Sequence, residues 1–113
     1  MKKVEAIVRS SKLHELQEAF QNFEMNGMMV LADVKSFGKE KGHSEFYRGT
    51  EYQVNFVPKT KIEIICNDED VEKIKSSIVQ TSHTGKVGDG KIIVTNVENV
   101  TKIRTGEQNE EAI

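Results

Sequence analysis

Apolar positions along the chain fall into two copies of one pattern. Val4, Ala6 and Val8 alternate with Lys3, Glu5 and Arg9, the period of a half-buried strand. Leu13, Leu16, Phe20 and Phe23 then stripe one helix face, with Ser11 placed to cap its start and Gly27 to stop it after Asn26. Met28 to Val34 reads as a second strand. The series restarts at Ile62, Ile64 and Cys66, which alternate with Lys61 and Glu63. It continues through a helix face of Val71, Ile74 and Ile78, capped by Asp68, and after Gly85 returns to a strand at Ile92, Val94 and Val97. Val100 to Arg104 is expected to add a short edge strand. Two β-α-β units in tandem predict an α+β, ferredoxin-like sandwich, an antiparallel sheet backed by two helices.

Between the two units lies the segment 36–55, rich in Gly, Lys, Glu and Tyr and without sustained apolar periodicity. Compact domains seldom carry a loop this long unless it has a function or is disordered. Both folding units are complete without it, so function is the better explanation.

Composition narrows the class. At 113 residues the chain suits a single domain, spanning 1–113, able to bury roughly two-thirds of its unfolded surface. One cysteine excludes an internal disulfide framework and fits a reducing compartment. Met1-Lys2-Lys3 opens as a signal peptide does, but Glu5 and Arg9 interrupt the apolar stretch that must follow, so a cytoplasmic protein is expected. Sixteen basic and 18 acidic residues give a formal charge of −2, which offers no chain-wide attraction to nucleic acid or to lipid. The acidic tail, 105–113, has no core pattern and is expected to be mobile.

The densest chemical signal lies in 82–91, where Thr84-Gly85-Lys86-Val87-Gly88-Asp89-Gly90-Lys91 combines three glycines with two lysines. Glycines let backbone amides approach an anion closely. Lys102 and Arg104 stand at alternate positions, hence on one side of an extended segment, and the set could neutralise a triphosphate. Gly85-x4-Gly90-Lys91 imitates a Walker A loop, but Ile92 stands where a magnesium-holding Ser or Thr is required, and a strand follows instead of a helix. On residue types alone, a Gly-rich turn with solvated lysines is as good a reading as phosphate binding. Ile7 sits on the otherwise polar face of the first strand, and either packs under a neighbour or faces an adenine ring.

Several fragments in order resemble the PII family of nitrogen-regulatory signal-transduction proteins across nearly the whole chain. They include Val4 to Arg9, Asn26-Gly27-Met28, Phe37-Gly38, Lys41-Gly42-His43, Glu45 to Tyr52, Pro58 to Glu63, Thr84 to Ile92 and Ile103 to Glu107. The resemblance implies a homotrimer that binds ATP or ADP, magnesium accompanying ATP, in clefts between subunits. The segment 36–55 becomes the family's T-loop, which docks on a membrane transporter or on a metabolic enzyme or regulator, and a transporter would recruit the protein to the membrane. Carried over by position, Ile7, Phe37, Gly38 and Lys39 become the adenine-side wall. Gly88, Asp89, Gly90, Lys91, Lys102 and Arg104 become the phosphate clamp. Lys59 matches the lysine that pairs with a 2-oxoglutarate carboxylate. Phe46, Tyr47, Arg48 and Tyr52 become partner contacts, Tyr52 at a position that some members carry as a nucleotidylation site.

Departures from the family pattern are an extra residue in Met28 to Val34, Met29 for a polar residue, Thr50 for a small one, and Ile93 for an aromatic. Glu40 matters most, since the family has Gln there, helping to complete the magnesium site at which 2-oxoglutarate chelates the metal. A like-charge pair about 4 Å apart costs roughly 4 kcal/mol at an effective dielectric near 20. Weak or absent 2-oxoglutarate sensing is therefore expected; a conventional ATP plus 2-oxoglutarate sensor is the alternative, with Glu40 pointing to solvent.

Other classes fit less well. An RNA-recognition domain shares the element order but stacks bases on aromatics of its central strands, and none stands in Val4 to Val8 or Ile62 to Ile65. A phosphate-chemistry enzyme needs a positioned nucleophile or base, and His14, His43, His83 and Cys66 form no such set. No catalytic activity is expected.

Overall fold

The computed structural model describes residues 1–23, 27–37, 44–47, 50–53 and 56–113, with 44–47 and 50–53 described as backbone. Strand β1, Lys2–Val8, leads through a 3₁₀ turn at Ser10–Lys12 into helix α1, Leu13–Gln21. Strand β2, Met28–Ser36, is followed by two short strands, β3 (Ser44–Tyr47) and β4 (Thr50–Gln53), and then by β5, Val57–Cys66. A second 3₁₀ turn at Asp68–Asp70 opens helix α2, Val71–Ser82, and β6 runs Lys91–Asn96. The main sheet has the order β2-β5-β1-β6 and is antiparallel throughout. This is the expected α+β arrangement of one sheet and two helices. Among the described residues no helix is long and apolar enough to cross a membrane.

Period-2 alternation divides β1 as read from sequence. Val4, Ala6 and Val8 are buried, whereas Lys3, Glu5 and Ile7 are only partly covered. The buried set meets Ile62 and Ile64 of β5, and Leu16, Ile74 and Ile78 of the helices close over them. Cys66 joins this core as expected, and burial pushes its thiol above the ordinary range, so it stays neutral. Among the described residues no helix covers the opposite face of the sheet. Val30 on β2 is 43% and Ile93 on β6 45% exposed there, and the ion pairs Lys61–Glu63 (3.4 Å) and Lys3–Glu5 (3.8 Å) lie on the two strands between them.

Several local expectations are corrected. Ser11 lies inside a 3₁₀ turn and caps nothing, and α1 ends at Gln21, short of Phe23. Phe23 still packs on Phe20, ring centroids 5.6 Å apart. Asp68 does not cap α2 either, since its carboxylate takes the Met1 amino group at 2.9 Å. Val100 to Arg104 forms no strand. Thr101 makes a single bridge to Gln108, and the Lys102 and Gly106 amides close a turn onto the carbonyls of Glu107 and Lys102 (both 2.8 Å). Gly106, at φ 75°, supplies the reversal that a side chain would resist. The acidic tail also gains structure, a 3₁₀ turn at Asn109–Ala112 tied by the Asn109 amide to the Val100 carbonyl at 2.7 Å.

The long insertion begins later than expected, because β2 and β5 stay paired up to Ser36↔Val57. Pro58 is tolerated in β5 because the β1 ladder starts only at Thr60, leaving one neighbour at that point. Beyond the ladder, β3 and β4 pair as a hairpin, from Ser44↔Gln53 to Tyr47↔Thr50.

Candidate functional site

One end of the sheet collects Ile7, Phe37, Lys59 and Gly88 to Lys91 of the residues singled out from sequence. β1 ends there at Val8, β6 starts there at Lys91, and the base of the insertion, Phe37 with Val57 to Lys59, closes the same end. Phe37 stacks on Phe56, a residue the sequence reading passed over, with centroids 5.4 Å apart at 39°. Phe46 and Tyr47 fall on β3 and Tyr52 on β4. Gly38, Lys39, Glu40 and Arg48 lie outside the described residues, so the magnesium and adenine-wall expectations placed on them do too.

The Gly-rich loop between α2 and β6 is held from within. Asp89 accepts from the backbone amides of Thr84 (2.8 Å) and Gly85 (2.9 Å) and from the Thr84 hydroxyl. Arg9, closing β1, donates to Asp89 at 3.3 Å and to the Val87 carbonyl at 2.7 Å. Asp89 is thereby a loop organiser whose carboxylate already takes two amides that an external anion would need. In the stretch from Gly88 to Lys91, Gly88 (φ 107°) and Gly90 (φ 98°) keep the backbone bare. Gly90 is pressed so closely on β1 that a Cβ there would lie 1.7 Å from the Ile7 carbonyl oxygen. Lys59, only 3% exposed, donates from Nζ to the Gly88 carbonyl at 2.5 Å, joining the insertion's base to the loop.

Arg9 was legible as a cation on the same strand face as Ile7, but nothing in its spacing pointed to a loop 78 residues away.

Hydrogen bonds from Thr84, above all its hydroxyl, hold the Asp89 carboxyl below the ordinary value of 3.8. A depressed folded-state pKa means that its contribution is full above the ordinary carboxylate range and is lost only as pH falls through the lower, folded value. The Thr84 and Gly85 amide resonances should therefore hold steady from neutrality down to about pH 4. Asp89→Asn should move them at every pH; a titration centred between pH 5 and 6 would contradict this account.

Among the described residues no hydrogen bond or ion pair joins Lys102 or Arg104 to the loop. Lys91 opposes Ile7 at the start of β6, whereas Asn96 opposes Lys2 at its close, and Lys102 and Arg104 follow only beyond that second end. The Lys102 ammonium instead lies 3.9 Å from Glu107. The expected extended segment is a turn, so their alternate spacing does not set a common side. Among the described residues no group of His, Cys, Asp or Glu could hold a metal ion by itself.

Residues 1–107 match the family model described as nitrogen regulatory protein P-II. The chain belongs to the P-II family. It is 50% identical over 113 residues, all of both chains, to the nitrogen regulatory protein P-II of Pasteurella multocida. The protein of that name from Azospirillum brasilense is also 50% identical, and nitrogen regulatory protein P-II 1 of Escherichia coli K12 is 49% identical, each over the full length of both chains. The family resemblance drawn from scattered fragments is thus shown across residues 1–107.

Proposed function

We propose that this P-II chain is a homotrimeric, non-enzymatic sensor of ATP and ADP that regulates a partner through the insertion 36–55, its T-loop. One observation carries the reading: the cations expected to clamp phosphate flank opposite ends of β6, Lys91 opening it beside Ile7 and Lys102 and Arg104 following its close beside Lys2. A complete clamp then requires the near end of one subunit and the far end of the next. The uncovered sheet face, with Val30, Ile93 and half-buried Ile7 and Ile65, supplies apolar surface for such an assembly.

The described residues suit a nucleotide. Glycines with positive φ admit a phosphate close to the backbone, Lys91 adds charge, and Ile7 offers an apolar contact on the open face. Magnesium would arrive with ATP. Lys59 links Gly88 to the insertion's base, so ligands that engage the Gly88–Lys91 stretch differently bias the T-loop differently. The partner is a membrane transporter or a metabolic enzyme. Glu40 makes 2-oxoglutarate a weak ligand.

Calorimetry on the native oligomer tests this. ATP and ADP should both bind, and Lys91→Ala or Arg104→Ala should each weaken binding at least about tenfold, some 1.4 kcal/mol. Refolding the two variants together should restore a fraction of the sites, because a mixed trimer contains a cleft with both native cations. No nucleotide binding by an intact oligomer with magnesium sinks the sensor reading. Micromolar 2-oxoglutarate binding with Mg-ATP sinks only the Glu40 half.

A further inference from the structure

On the helix side of the sheet, beneath the Gly-rich loop, a cavity of about 340 Å³ opens between α2 and β6. Val8, Ile78, Val79 and Ile92 make its walls apolar. Gly90 and Lys91, assigned above to the nucleotide, form one edge of it, whereas Ile7 is on the opposite face of β1 from Val8. Into this apolar space comes Ser82, 5% exposed, whose buried Oγ has no hydrogen-bond partner among the described residues. Buried hydroxyls are nearly always matched, because an unmatched one carries its full desolvation cost.

Charge around the opening has one sign to spare. Lys75 and Lys91 line the cavity beside the His83 ring, and Asp89, the acidic member, already spends its carboxylate on Thr84, Gly85 and Arg9. The Lys75 ion pair with Glu72, 3.4 Å long and exposed, is of the kind that costs little to give up. An apolar chamber with one buried hydroxyl and a cationic rim, at the small end of ligand-pocket volumes, suits a small branched aliphatic carboxylate. We propose that this cavity is a second ligand site of the protein, taking such an acid with its chain against Ile78 and Ile92 and its polar end near Ser82 and the cations.

The probe is 4-methylpentanoate, with 4-methylpentanamide as its neutral counterpart, followed through the backbone amide resonances of Ser82, Asp89 and Gly90. Saturable shifts are expected, with the carboxylate bound at least about tenfold more tightly than the amide. Ser82→Ala should leave Tm unchanged or raise it, since it removes an unmatched hydroxyl, while weakening the probe several-fold. Val79→Phe, at a half-exposed rim position where folding is not at stake, should block the cavity and abolish the shifts. Absence of saturable shifts up to about 20 mM overturns the proposal. So do equal affinities for acid and amide, a lowered Tm for Ser82→Ala, or undiminished binding by Val79→Phe. The site does not rest on nucleotide sensing: if ATP and ADP fail to bind, the probe titration is unaffected.

Discussion

Gly90→Ala should unfold the Gly-rich loop and abolish nucleotide binding, at a cost of about 4 kcal/mol in stability. Two effects add. The residue sits at φ 98°, where a Cβ is strained by roughly 1–3 kcal/mol, and the new methyl would stand 1.7 Å from the Ile7 carbonyl oxygen and 2.8 Å from its carbon. Both opposing atoms belong to the backbone of β1, so the strain cannot be relieved by turning a side chain. Gly106→Ala provides the control. It shares a positive φ, 75°, but a Cβ there meets nothing within 4 Å, so only the conformational term, about 1 kcal/mol, should appear. Chemical denaturation of both variants separates clash from strain. Equal losses would mean that close approach to Ile7 is unimportant.

Ile64→Ala should cost about 3–4 kcal/mol and lower Tm by roughly 15 °C. Ile64 is 0% exposed on β5, between Val4 of β1 and Met29 of β2, within the core that both helices cover. Such a loss is a large share of the 5–15 kcal/mol that holds a typical domain together. Ile93→Ala is the comparison, since the same removal of an aliphatic side chain occurs on the open face, where Ile93 is 45% exposed. It should cost the isolated subunit under about 1 kcal/mol. In the proposed trimer the loss should instead appear as weaker association at low concentration, by light scattering.

The elements with clean periodicity were read correctly because burial imposes that periodicity. β1 could bury Val4, Ala6 and Val8 only by exposing Lys3, Glu5 and Ile7, and the 3.6-residue stripe of Val71, Ile74 and Ile78 fits one helix face alone. Caps failed for a different reason. Ser11 and Asp68 are suitable residue types, but a 3₁₀ turn precedes each helix and Asp68 found a stronger partner in the Met1 amine. The hairpin of 44–53 escaped notice because strands of four residues show too few alternations to separate from loop.

By itself the sequence determined the order of elements, the two faces of the sheet, the glycine-rich segment beside β6 and membership of the family. Tertiary structure decided what those parts do to one another. It spent Asp89 on its own loop, set Lys59 against Gly88, fixed Arg9 onto the loop, and folded the Lys102 segment into a turn on Glu107. Local pattern reports which face a residue turns to the core, a property of its near neighbours. Which distant groups share hydrogen bonds depends on where strands end and turns reverse, and that is settled only when the whole sheet assembles.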